Sequence, residues 1–361
     1  MEAKMAAFSL ADIRARIARF PRVDLIHLPT PLRKLDALTA ELGGPEIYIK
    51  RDDLTGLAFG GNKSRKLEFI LADILEKKAD TVITWGSLQS NWCLQTAAAA
   101  RKYGVDPILV LFKSYDLPAG FDGNMLLDRI LDADIRIREA RKGKIVTMGE
   151  TIGLLNEIAD EERKKGRRPY IVPVGGSMVA GDMTRPLGAV SYVNAFGEML
   201  EQTVALGFVP DAVIHATGSG GTQGGLLLGA AAMTEGCRVV GISVSDGKEV
   251  FTGWVREIAE AADKTMGLGL TICGDDIIVL DEYMKDGYGI VNKDVAEVIR
   301  LVFRTEGIVL DPVYTSKAMI GLIDLIGKDY FKKGERVVFF HTGGTPALFP
   351  NRDMIIEYLK S

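Results

Sequence analysis

The chain is poor in cysteine and histidine and has no long apolar run. Cys93, Cys237 and Cys273 are odd in number and far apart, so a cytoplasmic, disulfide-free protein is expected. His27, His215 and His341 are isolated, and no His/Cys/Asp cluster has metal-ligand spacing, which argues against a metal centre. The longest apolar runs, such as Leu226 to Met233, fall well short of the roughly 18 residues of a membrane span. The stretch Met1 to Ile17 carries Lys4, Asp12, Arg14 and Arg16 and lacks the pattern of a signal peptide. With 44 Lys+Arg against 48 Asp+Glu, a net charge of −4 and no basic block, a nucleic-acid binder is not expected. No Gly-x-Ser-x-Gly elbow anchors a hydrolase triad, and no repeat or low-complexity linker occurs.

What remains is an ordinary globular composition, 47% apolar and 25% charged, with one surplus. Forty of 361 residues are glycine, about 11% against a usual share of about 7%. Glycine weakens helices and strands, so extra glycine belongs where backbone needs unusual angles or close approach to a ligand. The length suits two intimate domains or one large one.

Short apolar strands alternate with helix-period segments from about Pro31 onward. Strands are expected at Tyr48 to Lys50, Thr81 to Trp85, Pro107 to Phe112, Ile135 to Arg138, Tyr170 to Val174, Ala212 to Ala216, Arg238 to Ser245, Ile277 to Leu280 and Val337 to Phe340. Helices lie between them; Leu67, Ile70, Leu71, Ile74 and Leu75, for example, fall on one helical face. This alternation predicts an α/β fold with a parallel sheet covered on both faces. The glycines gather at strand–helix junctions, where α/β sheets bind ligands.

Thr217-Gly218-Ser219-Gly220-Gly221-Thr222 follows a strand and opens a helix. A Gly-rich helix N-terminus presents free N–H groups to an anion, most often a phosphate. Position 223 is Gln where the dinucleotide fingerprint needs a third glycine, so a small phosphorylated cofactor is favoured over NAD; a tight structural turn is the alternative. Gly56 to Ser64 is not a P-loop, because Asn62 separates the glycines from Lys63. Taken alone, Lys63 reads as a solvated lysine, Asp52-Asp53 and Asp275-Asp276 as solvated or capping acids, His215 and His341 as satisfied core histidines, and Ser87 or Ser90 as a helix cap.

Seven segments occur together in one order: Lys50 to Asp53, Gly60-Gly61-Asn62-Lys63-Ser64-Arg65-Lys66-Leu67-Glu68, Gln89-Ser90-Asn91, Pro173 to Ser177, Thr217 to Thr222, Asp311-Pro312-Val313-Tyr314 and His341-Thr342-Gly343-Gly344. From about His27 onward the chain resembles the pyridoxal-phosphate enzymes of the 1-aminocyclopropane-1-carboxylate deaminase and D-cysteine desulfhydrase family, with the tryptophan-synthase β-like fold. The resemblance implies a large domain of residues 1–63 and 174–361, a small inserted domain of residues 64–173, and a homodimer.

It also implies roles. Lys63 resembles the lysine that holds pyridoxal phosphate in a Schiff base. The loop Thr217, Gly218, Ser219, Gly220, Gly221 and Thr222 would cradle the phosphate, Asn91 the ring hydroxyl, and Thr342 the pyridine nitrogen, where a neutral hydroxyl suits elimination better than transamination. Ser90 resembles the serine near the substrate carboxylate, and Tyr288 and Tyr314 the paired tyrosines that move protons. Trp92 stands where relatives commonly carry His or Gln, and Leu94 where they carry Arg. Thr315 and Thr342 stand where the deaminases resembled have Glu and Leu. Ser90, Asn91, Trp92 and Thr315 are the expected substrate pocket, and Thr315 and Thr342 look like the desulfhydrase branch, which includes L-cysteate sulfo-lyases. The expected activity is α,β-elimination from a small sulfur-containing amino acid, D-cysteine first and L-cysteate second. Deamination of 1-aminocyclopropane-1-carboxylate and a non-catalytic pyridoxal-phosphate regulator or carrier are the alternatives. Met1 to Phe20 and Met178 to Met183 look like additions to the family pattern.

Overall fold

The computed structural model describes residues 6–115 and 121–360; the first five residues of the stretch Met1 to Phe20 lie outside them. The strands are β1 (Leu32–Lys34), β2 (Glu46–Lys50), β3 (Thr81–Ser87), β4 (Asp106–Lys113), β5 (Asp134–Glu139), β6 (Pro169–Ile171), β7 (Ala212–Thr217), β8 (Arg238–Ser243), β9 (Ile278–Leu280) and β10 (Arg336–Phe340). The first six helices are α1 (Leu10–Ile17), α2 (Asp36–Leu42), α3 (Asn62–Glu76), α4 (Asn91–Lys102), α5 (Gly123–Ile130) and α6 (Met148–Lys164). The rest are α7 (Leu187–Ala205), α8 (Gly221–Met233), α9 (Lys248–Met266), α10 (Lys293–Glu306), α11 (Thr315–Gly327) and α12 (Arg352–Lys360).

Two sheets form. One has the order β1-β2-β10-β7-β8-β9 and the other β5-β4-β3-β6. All pairings are parallel except β1 with β2, so the expected parallel α/β architecture stands with one antiparallel edge. The four-stranded sheet is drawn wholly from residues between Thr81 and Ile171, and the six-stranded one from residues on both sides of that segment. No helix among the described residues is long and apolar enough to cross a membrane.

Each expected strand and helix is present within a few residues. Four elements escaped the pattern: β1, α1, α2 and α12 are short and mixed in polarity. Helix α1 lies within the stretch Met1 to Phe20 and has a visible reason to form. Ser9 and Asp12 make a reciprocal capping box, and Ile13 and Ile17 are buried. Leu10 packs so close to Gly197 of α7 that a Cβ there would come within 2.9 Å of it. The segment Met178 to Met183 also has a place: Asp182 accepts a hydrogen bond from the Ile171 N–H at 2.7 Å, finishing strand β6.

Not every glycine faces a ligand. A Cβ on Gly225 would come within 2.3 Å of the Ala189 carbonyl oxygen, and one on Gly229 within 2.7 Å of the Phe196 Cβ. These two residues let α7 and α8 pack closely.

The reading of Asp52 as solvated or capping is corrected. Its carboxylate is fully buried and accepts from both Arg65 Nε and Nη2, at 2.9 and 2.8 Å, from Tyr192 at 2.7 Å and from Thr30 at 2.9 Å. Arg65 and Lys50 both reach Glu198 of α7. Buried charges persist only when paired, and this network ties β2, α3 and α7 together beneath the site. Asp276 behaves as expected: exposed, it accepts from the Cys273 N–H at 2.9 Å.

Candidate active site

Strands β3, β7 and β10 end at one cavity, lined by residues that follow each of them, including Ser90, Gly218 and Thr342. This is where parallel α/β sheets present free backbone groups and loop side chains.

Thr217, the last residue of β7, and the loop residues Gly218, Ser219 and Gly220 line the cavity together with Thr222. Gly221 does not line it; it is the first residue of α8, directly behind. Gly220 takes φ +76° at the start of α8, and no side chain caps that helix, so its first-turn N–H groups are left for an external acceptor. The Thr217 hydroxyl is buried without a partner. Ser219 and Ser177 share a hydrogen bond of 2.9 Å, and Asn62 Nδ2 donates to the Thr222 hydroxyl at 3.1 Å. Side chains would fill this cup. A Cβ on Gly221 would come within 2.4 Å of Ser177 Oγ, and one on Gly175 within 2.3 Å of Ser219 Oγ. An uncapped helix start, an orphaned hydroxyl and a glycine-bounded cup are what a phosphate needs.

Lys63 enters the same cavity, which corrects its reading as a solvated lysine. It is the second residue of α3, and the chain reaches it through Gly60 (φ +72°) and Gly61 (φ +133°). A Cβ on Gly60 would come within 2.0 Å of the Asp53 carbonyl oxygen. Lys63 Nζ donates to Asn62 Oδ1 at 3.0 Å and lies 6.0 Å from the centre of the Tyr314 ring. Burial pushes the ammonium down to about 8, with Asp311 opposing the shift. A lysine so weakened supplies a neutral amine, a nucleophile and base, near neutral pH.

Ser90 caps α4 by accepting from the Cys93 N–H at 3.1 Å, and Asn91 opens that helix at the cavity wall. Trp92 also lines the cavity, but its indole is buried, with Nε1 donating to the Thr84 hydroxyl at 2.7 Å. Tyr288 and Tyr314 meet hydroxyl to hydroxyl at 2.5 Å, and Tyr288 reaches Ser87 at 3.1 Å. Burial pushes both phenols up, so both keep their protons at neutral pH. The Thr342 carbonyl oxygen accepts from the Asn62 N–H at 3.0 Å, bringing the end of β10 against the lysine turn.

Thr315, expected in the substrate pocket, is not on the wall. It is fully buried, and its hydroxyl and N–H both donate to Asp311 Oδ1 at 2.7 Å. Asp311 Oδ2 accepts from the Val313 and Tyr314 N–H groups at 2.9 Å, so Thr315 acts from behind on the turn that carries Tyr314. Ser87, weighed only as a cap, is a wall residue within the hydroxyl cluster. Of the core histidines, His341 is satisfied by Val309 and Gly343, whereas His215 pairs Nδ1 with the Ala216 carbonyl and leaves Nε2 without a partner.

Comparison with known proteins agrees with this geometry. The sequence matches the family described as pyridoxal-phosphate dependent enzymes over residues 23–343. A Pyrococcus furiosus protein, provisionally named a 1-aminocyclopropane-1-carboxylate deaminase, is 41% identical over 96% of this chain and 99% of its own length. A D-cysteine desulfhydrase of Klebsiella pneumoniae is 38% identical over 92% of this chain and 97% of its own. A crystal structure described as an ACC deaminase homologue superposes with a TM-score of 0.86 at 40% identity, covering 96% of this chain and 99% of that one. The Escherichia coli diaminopropionate ammonia lyase shares the fold at a TM-score of 0.65 and 16% identity, over 99% of this chain and 93% of that one. A phosphate-sized cup, a weakened lysine and a match that spans most of the sequence converge on one conclusion: this chain belongs to the pyridoxal-phosphate dependent enzyme family.

Proposed function

We propose that the protein is a lyase that eliminates the β-substituent of a small sulfur-containing amino acid, giving pyruvate and ammonia, with D-cysteine as its first substrate. The observation that carries this reading is Lys63, half-buried and weakened, in one cavity with a glycine-bounded cup and a pair of protonated tyrosines. Thr217 to Thr222 would hold the cofactor's phosphate, Asn91 its ring oxygen and Thr342 its pyridine nitrogen. Bound pyridoxal phosphate supplies the electron sink that makes a substrate α C–H acidic.

The chain's own residues do the rest. First-turn N–H groups of α4 other than that of Cys93, which Ser90 caps, orient the substrate carboxylate. Lys63, as a neutral amine, takes the α-proton. The C–H electron pair becomes the new C=C bond, and the C–S pair departs with sulfur, which takes a proton from the Tyr288–Tyr314 pair. Water then converts the released enamine to pyruvate and ammonia.

Charge favours sulfide over sulfite as the leaving group. Among the described residues lining the cavity, Lys63 is the one charged side chain. A sulfonate there would lie beside no second cation, a costly arrangement in a desolvated site. L-cysteate therefore ranks behind D-cysteine.

The reading includes two domains, 1–63 with 174–361 and an inserted 64–173, supported by a four-stranded sheet that one continuous segment builds. It also includes a cytoplasmic homodimer, supported by the family resemblance and by three free cysteines.

The test is a panel of D- and L-cysteine, L-cysteate and 1-aminocyclopropane-1-carboxylate, assayed for pyruvate, 2-oxobutyrate, sulfide and sulfite. Pyruvate with sulfide from D-cysteine, abolished in Lys63→Ala, is the expected result. 2-Oxobutyrate from the cyclopropane substrate instead would reassign the protein as a deaminase, and bound cofactor with no turnover across the panel would make it a carrier.

A further inference from the structure

The corner that presents Asn91 to the cavity is held by a second asparagine one helix away. Asn124, in the first turn of α5, is fully buried. Its Nδ2 donates to the Gln89 carbonyl oxygen at 2.8 Å and to Asn91 Oδ1 at 2.7 Å, and its backbone N–H donates to Gln89 Oε1 at 2.7 Å. Gln89 Nε2 donates in turn to the Asp122 carbonyl oxygen at 2.9 Å. Gly123 permits the approach, since a Cβ there would come within 2.6 Å of Gln89 Oε1.

These contacts fix two amide orientations in sequence. A peptide carbonyl accepts and never donates, so the Gln89 carbonyl selects the NH2 end of Asn124. The same NH2 meets Asn91, so Asn91 must turn its oxygen toward Asn124. The Asn91 NH2 is thereby directed to the other side, where it lies against Gly344: a Cβ on that glycine would come within 2.8 Å of Asn91 Nδ2. An unconstrained asparagine can offer the site either an acceptor or a donor. This one is locked as a donor.

We infer that Asn124 is a positioning residue that locks the Asn91 amide donor-outward, so that the site offers a hydrogen-bond donor to the phenolic oxygen of pyridoxal phosphate. The inference rests on the proposed contact between Asn91 and that oxygen. Asn124 Oδ1 is itself buried without a partner, so the side chain is held through its donors. An aspartate in its place would set an oxygen against the Gln89 carbonyl and the Asn91 oxygen, and the Asn91 amide would flip.

The test is a double-mutant cycle on cofactor affinity, read by titrating apoenzyme with pyridoxal phosphate, together with the absorption maximum of the bound cofactor and the melting temperature of each apoenzyme. Asn124→Asp is expected to weaken binding at least tenfold and to shift the absorption maximum. In an Asn91→Ala background the same substitution should change affinity less than twofold, because the amide it orients is gone. Equal weakening in both backgrounds, or wild-type affinity in Asn124→Asp while Asn91→Ala weakens binding, would overturn the inference. Wild-type affinity in Asn91→Ala would instead remove the proposed Asn91 contact. Should Asn124→Asp not accumulate as folded protein, Asn124→Ser enters the same cycle and the same two results decide.

Discussion

One wall of the cavity is built from backbone and the wall beside it from side chains, the Tyr314 ring lying against Gly218. The proposed phosphate cup is made from six consecutive residues, Thr217 to Thr222, whose contribution is mainly N–H groups and the absence of Cβ atoms. The hydroxyl cluster is made from Ser87, Tyr288 and Tyr314, of which Ser87 and Tyr288 are 201 positions apart. The first wall fails when atoms are added and the second when they are removed. On the proposed roles each has its own signature: damage to the cup should release the cofactor, whereas damage to the hydroxyls should leave it bound and stop proton movement.

Three results would break or sharpen that contrast. The largest effect is expected for Tyr288→Phe, which removes a proton-handling hydroxyl worth roughly 100-fold or more in rate. Steady-state kinetics should show kcat falling by that order while the spectrum of bound cofactor persists; loss of the cofactor would dissolve the distinction between the two walls. Next comes Gly221→Val. Its Cβ alone would sit 2.4 Å from Ser177 Oγ, and overpacking of about 1–3 kcal/mol corresponds to cofactor binding weaker by roughly 5- to 150-fold, measured by titration of the apoenzyme. Unchanged affinity would mean that the cup is not the phosphate site. The smallest effect concerns pH. Lys63 is protonated below about 8 and neutral above it, so the rate at which apoenzyme captures pyridoxal phosphate should rise about tenfold from pH 7 to pH 9 and then level off. Tyr288 and Tyr314 are pushed up and stay protonated in that window, so the inflection belongs to the lysine. A rise still continuing toward the ordinary lysine range would show that burial does not weaken Lys63.

The same contrast explains what the sequence made legible. A backbone wall is local, so the strand, the glycine-rich turn and the helix start at Thr217 to Thr222 are readable as a phosphate cup from adjacent residues. A side-chain wall is assembled by the fold. Nothing near Tyr288 or Tyr314 signals that their hydroxyls touch, and only the family resemblance paired them. Lys63 alone reads as solvated because the glycines before it speak for a turn, not for what the turn faces. Asp52 is misread for a similar reason: its partners Arg65, Tyr192 and Thr30 are scattered, and an acid's burial depends on them. Thr315 matches a family position next to the site, yet its side chain turns inward to Asp311. Position along the chain does not give that direction. Asn124 left no signal beyond Gly123, whose missing Cβ admits Gln89.

The central claim is that Lys63 carries the cofactor, and its neighbour one helical turn on provides the internal control. Lys66 is fully buried and donates to the Gly175 carbonyl oxygen at 3.0 Å, behind the cup instead of within the cavity. Reduction of the holoenzyme with borohydride, followed by peptide mapping by mass spectrometry, distinguishes them directly. The account predicts a stoichiometric pyridoxyl-phosphate adduct on Lys63 and none on Lys66; an adduct on Lys66 or on any other lysine, or none at all, would contradict it.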